Sequence, residues 1–371
     1  MESRTAILLL EDGTLFKGIS QGSAKTSTGE ICFNTGMTGY QEIFTDPSYF
    51  GQIMVTSTAH IGNYGTQADE VESGSVKIAG LVCKNFSKIH SRVRNSQTLE
   101  SYFEEQQIPT ISNVDTRKLV RHIRDNGAMN AILSTDGKSV EELKELLAKV
   151  PSMKGRELAS SVSTKEKYEV GSKSSPRRVA IIDLGLKTNS LRNLLNRDTF
   201  VAVFPYNVTF EELTAWQPDG ILVSNGPGDP EPLTGVTEVV KSIIDADIPV
   251  MGICLGHQII SLSQGLKTYK MHNGHRGINH PVLNTISRKA EITSQNHGFA
   301  VSAESCMANP DITISHVHLN DNTVAGIRIK NKPVVSVQYH PEAGPGPEDA
   351  NYLFDEFFTH IEEYKKKMTI G

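Results

Sequence analysis

Residues 248–265 read IPVMGICLGHQIISLSQG. A short apolar run ends in a cysteine flanked by Gly252 and Gly256, and the chain then passes at once into an apolar segment closed by Gly265. A strand that turns directly into a helix holds its junction residue in a strained backbone conformation, and flanking glycines remove the side chains that would clash there. The junction residue here is Cys254. The positive end of a helix dipole favours the thiolate of a cysteine placed there, and the next N–H, that of Leu255, points where an oxyanion could be held. The same five residues also fit a structural cysteine buried in a tight strand–helix junction.

The pattern continues outward from this turn. RRVAIIDLG at 177–185, TFVAVFP at 199–205 and DGILV at 219–223 read as strands, separated by helices at 190–196 and 211–216. A further helix is expected at 236–246, and a last one at about 348–364. Strands alternating with helices at this spacing predict a mostly parallel α/β sheet, with ligands beyond the carboxyl ends of its strands. Residues 316–342, HVHLNDNTVAGIRIKNKPVVSVQYHPE, suggest an antiparallel meander ending in His340-Pro341-Glu342. His340 would face the same crevice as Cys254, as general base and then general acid, with Glu342 fixing its tautomer. A lone histidine at a strand end is commonly structural, but cysteine, histidine and carboxylate at one sheet edge form a catalytic set.

The 371 residues and a net charge of 37 − 42 = −5 fit two or three globular domains with no pull toward nucleic acid or anionic membrane. The apolar run at 6–10 is too short for a signal-peptide core or a membrane span, so a cytoplasmic protein is expected. Four scattered cysteines, Cys32, Cys83, Cys254 and Cys306, do not read as a disulfide framework. Residues 153–177 are rich in Ser, Lys and Gly and read as a linker between a domain at 1–152 and one at 178–371. The first domain reads as mixed β and α, with a hairpin at Asp12-Gly13. Helices are expected at 116–125, capped by Asp115 and stopped by Gly127, and at 140–149, capped by Ser139. The Gly-, Thr- and aromatic-rich stretch 29–57 suggests strands and turns rather than helices.

GICLGHQ at 252–258 with HPE at 340–342 resembles the class I (triad) glutamine amidotransferases. SNGPGDP at 224–230 and SQNHGFAV at 294–301 narrow the resemblance to the small chains of carbamoyl-phosphate synthetases, as do FNTGMTGYQEIFTDPSY at 33–49, HIGNYG at 60–65 and DTRKL at 115–119. The resemblance spans essentially the whole chain. It implies a mixed β/α domain followed by a mostly parallel α/β glutaminase domain. It also implies attack by Cys254 on the side-chain amide of glutamine, with His340 and Glu342 completing the triad. Leu255 and Gly226 match the oxyanion-holding N–H groups, and Gln258 a contact to the substrate amide. Gly228, Asn296, Gly298 and Phe299 match the grip on the α-amino and α-carboxylate groups, and Ser48 a first-domain residue reaching the same glutamine. Two departures, Thr58-Ala59 before His60 and Leu184 in place of a common aromatic, touch none of the triad.

The resemblance implies no cofactor and no metal in this chain. ATP and a divalent cation are expected on a separate large chain, because no Walker loop or kinase signature occurs in the sequence and none is expected beyond Gly371. A heterodimer able to assemble further follows, with ammonia passed between the chains. A stand-alone γ-glutamyl hydrolase and an inactive regulatory scaffold are the alternatives. His272, His275 and His280 lie in a stretch expected to be a flexible loop with no completing metal ligand. His257, His316 and His318 read as structural. Arg117, Lys118, Arg121 and Arg124 form a basic helix face, solvated or set against an acidic partner.

Overall fold

A computed structural model describes residues 5–92 and 97–370. The chain forms two compact units: residues 1–153 with 272–277, and residues 154–271 with 278–371. Among the described residues no helix is long and apolar enough to cross a membrane.

Seven strands of the first unit close into a barrel, in the order Thr5–Leu10, Leu15–Gly22, Pro109–Ser112, Gly80–Val82, Gln52–Thr56, Thr26–Asn34 and Asn130–Ser134. Closure leaves no unpaired edge, and it is a feature that strand alternation in the sequence does not reveal. The expected hairpin is present: Leu9 pairs with Leu15 and Gly13 takes φ 87° at the turn. The side chains of Leu8, Leu10, Ile31, Ile53, Val55, Val82 and Ile111 fill one cluster, against which Leu119 and Ile123 of the helix Thr116–Asn126 pack. That helix starts where Asp115 accepts from the Lys118 N–H and stops at Gly127, φ 91°. A reciprocal capping box between Ser139 and Glu142 starts the helix Val140–Leu147.

The stretch expected to be free of helix contains the helix Tyr40–Thr45 and the 3-10 turn Pro47–Tyr49. Gly39 supplies the left-handed entry (φ 76°), and Tyr40, Ile43 and Phe44 bury one face in a second cluster with Tyr49, Leu81 and Phe103. Burial thus overrides the weak helix propensity of an aromatic- and Thr-rich segment.

In the second unit, five parallel strands run in the order Thr199–Pro205, Arg177–Asp183, Gly220–Val223, Val250–Ile253 and Val334–Val337. Val324–Ile329, Ile312–His318, Thr268–Asn284 and Ala290–Val301 extend this sheet on one side. Both faces of the parallel strands are apolar, as helix-covered strands require. Val223 and Val250 pack into one cluster with Val240 and Ile259, while Ile181, Met251 and Val335 pack into another with Phe354 and Phe357 of the helix Tyr352–Ile370.

Two expectations are corrected here. Residues 153–177 are not a free linker: Leu158 and Ala159 are buried, and Tyr168–Val170 pairs antiparallel with Thr199–Pro205. The histidine-bearing stretch is not a loop, since His272, His275 and His280 lie on the strand Thr268–Asn284. Pairing with the strand Ile312–His318, Val282 opposite His318, holds its later part, while Gly274 takes a left-handed φ of 70° within it.

Gly256 is fixed by close packing, because an added Cβ would sit 2.1 Å from the Val223 carbonyl oxygen. Gly235, in the helix Thr234–Asp245, meets nothing within 4 Å. Gly256→Ala is therefore expected to destabilise the chain by ~2–3 kcal/mol. Gly235→Ala should stabilise it by roughly 0.5 kcal/mol through helix propensity. Denaturant midpoints of the two variants check this, and a neutral Gly256→Ala would contradict the strand–helix contact.

Candidate active site

The helix Leu255–Ser263 begins immediately after the strand Val250–Ile253, and Cys254 between them has φ 54° and ψ −102°. A positive φ at a non-glycine residue is a strained state, held only by surrounding bonds. The Cys254 N–H donates to the Val337 carbonyl at 2.9 Å, and the Gly256 N–H donates to the Ser224 carbonyl at 3.1 Å. Leu255 is the first residue of the helix, so its N–H has no intrahelical acceptor.

The next strand of the sheet, Val334–Val337, runs parallel and in register, with Ile253 opposite Val337. Chain leaving its carboxyl end carries Gln338, His340 and Glu342, all buried. The His340 N–H donates to the Ser294 carbonyl at 2.9 Å, which ties this segment to the strand Ala290–Val301. His340 Nδ1 lies 2.7 Å from Glu342 Oε1. Its Nε2 lacks a partner of full hydrogen-bond geometry, yet Cys254 is near enough to help hold the ring charged. Burial pulls the His340 pKa down, but the Glu342 carboxylate and Cys254 outweigh it and the pKa is raised. Burial acts on Glu342 in the opposite sense, and Lys187 and His340 overcome it, so its pKa is lowered.

Lys187 was missed in the sequence. Its ammonium sits 3.3 Å from Glu342 Oε1, with side-chain exposures of 3% and 0%, and also donates to the Ala343 carbonyl. Buried charges of this kind persist only when paired. The available signal was position: Lys187 closely follows the strand Arg177–Asp183, at the sheet edge where Cys254 and His340 emerge.

The loop after Gly220–Val223 is braced from both sides. Ser224 Oγ accepts from the Leu184 N–H at 2.9 Å, and Asn225 Nδ2 donates to the Gly185 carbonyl at 2.8 Å. A Cβ on Gly226 would lie 2.1 Å from the Leu184 oxygen and 2.9 Å from the Leu255 side chain, so Gly226 and Leu255 adjoin. Gly228 takes φ 90° and pairs with Glu157 in a short bridge.

Asn296 and Phe299 reach the same place from the strand Ala290–Val301. The Cys254 thiol donates to the Asn296 carbonyl at 3.5 Å. Gln258 Nε2 donates to the Phe299 carbonyl at 2.8 Å and to Gln338 Oε1 at 3.1 Å, and Gln338 Nε2 lies 3.7 Å from Cys254 Sγ. Gln258 thus uses amide hydrogens within the protein and leaves its Oε1 as the atom to offer a ligand. Gly298, between His297 and Phe299, is half-buried. Ser48 belongs to the first unit, buried on the turn Pro47–Tyr49 with its N–H on Asp46 Oδ1 at 2.9 Å.

The remaining histidines have other partners. His257 is fully buried with Nδ1 2.7 Å from Ser336 Oγ, and burial lowers its pKa to about 3. Burial does the same to His316, which reaches about 3. His280 Nδ1 meets His318 Nε2 at 3.0 Å, while His272 Nε2 meets the Arg124 carbonyl at 3.1 Å. All four cysteines are free; burial pushes the Cys83 thiol up to about 12 and that of Cys306 to about 11.

This arrangement can deliver a sulfur nucleophile, a proton carrier beside it, and backbone donors at the start of a helix. Comparison with known proteins agrees in kind. Residues 8–133 match the family described as "Carbamoyl-phosphate synthase small chain, CPSase domain", and residues 180–360 match "Glutamine amidotransferase class-I". The chain is 43% identical over 386 residues to the carbamoyl phosphate synthase small chain of Pyropia yezoensis, covering 100% of both chains. It is 43% identical over 376 residues to that of Thermosynechococcus vestitus, covering 98% of each. The counterpart from Staphylococcus haemolyticus is 46% identical over 362 residues, with 97% of each covered.

The pKa directions define a pH window. A raised His340 contributes stability that is complete below the ordinary histidine value of 6.5 and fades as pH climbs through the raised one. A lowered Glu342 contributes stability present above 4.5 and lost on acidification. Glu342→Gln should therefore lower stability near pH 6 by about 3 kcal/mol or more, since it strands a buried lysine. The same change should move the NMR titration of His340 to lower pH. An unmoved His340 titration would show that Glu342 is not what holds the ring charged.

Proposed function

Because this chain belongs to the carbamoyl-phosphate synthase small-chain family and carries a class I glutamine amidotransferase unit, we propose that it hydrolyses glutamine and supplies ammonia to a separate ATP-dependent large chain. That partner would use the ammonia, with bicarbonate, to make carbamoyl phosphate. The observation that carries the reading is the strained, helix-initiating Cys254 at the sheet edge that also bears the buried His340–Glu342 pair.

The steps follow from the residues. The thiol proton settles on His340, whose charged form the site favours, and Cys254 Sγ attacks the side-chain amide carbon of glutamine as the thiolate. The amide oxygen takes up negative charge, which the N–H groups of Leu255 and Gly226 are placed to receive. Donors of this kind are worth about 3 kcal/mol each. His340 then protonates the amide nitrogen, the C–N bond breaks, and ammonia leaves a γ-glutamyl thioester. In the second half a water gives its proton to His340 and bonds to the thioester carbon. The C–S bond breaks, glutamate departs, and sulfur leaves as the thiolate beside a His340 that is charged again.

Glu342 keeps His340 oriented through Nδ1, so that Nε2 serves both proton transfers. Lys187 offsets the Glu342 charge and prevents the carboxylate from taking the proton itself. Gln258 Oε1 and the backbone at Gly228, Asn296, Gly298 and Phe299 are assigned to hold glutamine. A dry route for ammonia is chemically necessary, because ammonia released into bulk water protonates and ceases to be a nucleophile.

The test is Cys254→Ser in the assembled two-chain enzyme. Glutamine-dependent carbamoyl phosphate formation should fall to below about a thousandth, as for loss of a nucleophile, while synthesis from added ammonia persists. Retained glutamine use would overturn the assignment. High glutaminase turnover by the isolated chain would instead favour a stand-alone γ-glutamyl hydrolase.

A further inference from the structure

We propose that Gln338 is a further catalytic residue, whose side-chain amide donates a hydrogen bond to Cys254 Sγ and favours the thiolate over the thiol. The proposal rests on the reading of Cys254 as the nucleophile.

The polarity of the contact follows from a fixed starting point. The Phe299 carbonyl can only accept, so the end of Gln258 that lies 2.8 Å from it is the NH₂ group. That same nitrogen lies 3.1 Å from one end of Gln338, which must therefore be the oxygen. The other end of Gln338 is then its amide nitrogen, and this is the atom 3.7 Å from Cys254 Sγ. Turning either glutamine over would set donor against donor or acceptor against acceptor. Gln338 and Gln258 are 1% and 3% exposed, so a mismatch would be a buried, unsatisfied one. The Gln338 backbone is pinned as well, its N–H on the Ala325 carbonyl at 2.9 Å.

A second contact of the sulfur has the opposite character. The Asn296 carbonyl, 3.5 Å away, accepts the S–H of the resting thiol but has nothing to give an anion. Once the proton moves to His340, that bond is lost, whereas the Gln338 N–H···S bond becomes charge-assisted and strengthens. Gln338 thus interacts more strongly with the thiolate than with the thiol. It acts twice in the cycle: at the attack, and again when the C–S bond of the thioester breaks and sulfur departs as an anion. Gln338 and His340, two residues apart just beyond the strand end, both act on this one sulfur.

The test uses the full-length chain with Gln338→Met, similar in length but without the donor. Iodoacetamide modification of each cysteine is followed by mass spectrometry at about pH 7 and at about pH 9.5. At the lower pH, labelling of Cys254 should slow roughly tenfold or more, as for loss of a hydrogen bond to a charged group. At the higher pH, where thiols ionise without help, labelling should come within about twofold of the unsubstituted chain. Glutamine turnover should lose kcat with KM little changed. Should Gln338→Met fail to fold, Gln338→Asn keeps the amide but withdraws it from the sulfur, and the same pH contrast is expected. Unchanged labelling at the lower pH, or equal slowing at both, would overturn the proposal and leave Gln338 a brace for Gln258. If Cys254 of the unsubstituted chain labelled no faster than Cys32, Cys83 and Cys306 at about pH 7, the nucleophile reading would fall, and this proposal with it.

Discussion

Cys254 is held at φ 54°, a conformation that costs a non-glycine residue on the order of 1–3 kcal/mol. Much of the second unit serves to keep it there. The strand beneath it is the fourth of five parallel strands, buried on both faces, and cannot shift to relax the turn. Its N–H is tied to Val337 and that of Gly256 to Ser224, so the elbow is bonded to chain on either side of its own strand. Gly252 and Gly256 allow strand and helix to approach so closely that a Cβ at either position would meet backbone atoms within 3 Å. The strain places a sulfur at the start of a helix, and the neighbouring strands bring the groups that act on it.

Those groups form an alternating sequence of buried charge: the Lys187 ammonium, the Glu342 carboxylate and the His340 imidazole, reaching toward the sulfur. No member would remain charged at this depth alone, since burial drives carboxylate and imidazole toward their neutral forms. Together each holds its neighbour in the charged state. The glutamine pair lies on another side of the same sulfur and works through neutral dipoles. With the proton of Cys254 held on His340, an anion and a cation stand side by side. A carboxylate already faces one and an amide donor the other, so little reorganisation is required.

Much of this could be read in the sequence wherever the signal is local. The cap at Asp115, the capping box at Ser139, the turn at Gly13 and the glycine-flanked Cys254 each depend on residues within a few positions of one another. Alternating apolar strands and helices likewise announce a parallel sheet. The helix Tyr40–Thr45 went unrecognised because its apolar face has meaning only against Leu81 and Phe103. Residues 153–177 look like a linker by composition, yet the burial of Leu158, Ala159 and Ser163 and one strand pairing make all but Met153 part of the second unit. Lys187 and Gln338 carry no motif of their own. Their importance comes from standing beyond the ends of strands that neighbour the Cys254 strand, directly or one strand removed.

The sequence by itself determined much of the backbone grammar: the parallel strands and most helices of the second unit, several caps and turns, and that one cysteine sits at a turn flanked by glycines. These follow from short-range sterics and hydrogen bonding, which neighbouring residues specify. The tertiary structure alone decided that seven short strands close into a barrel, and that Lys187 stands behind Glu342. It alone decided that the Phe299 carbonyl sets the direction of two glutamine amides aimed at Cys254. Barrel closure, the buried Lys187–Glu342 pair and the orientation of a buried dipole depend on partners up to 155 positions apart (342 − 187), and only the folded chain brings them within hydrogen-bonding reach.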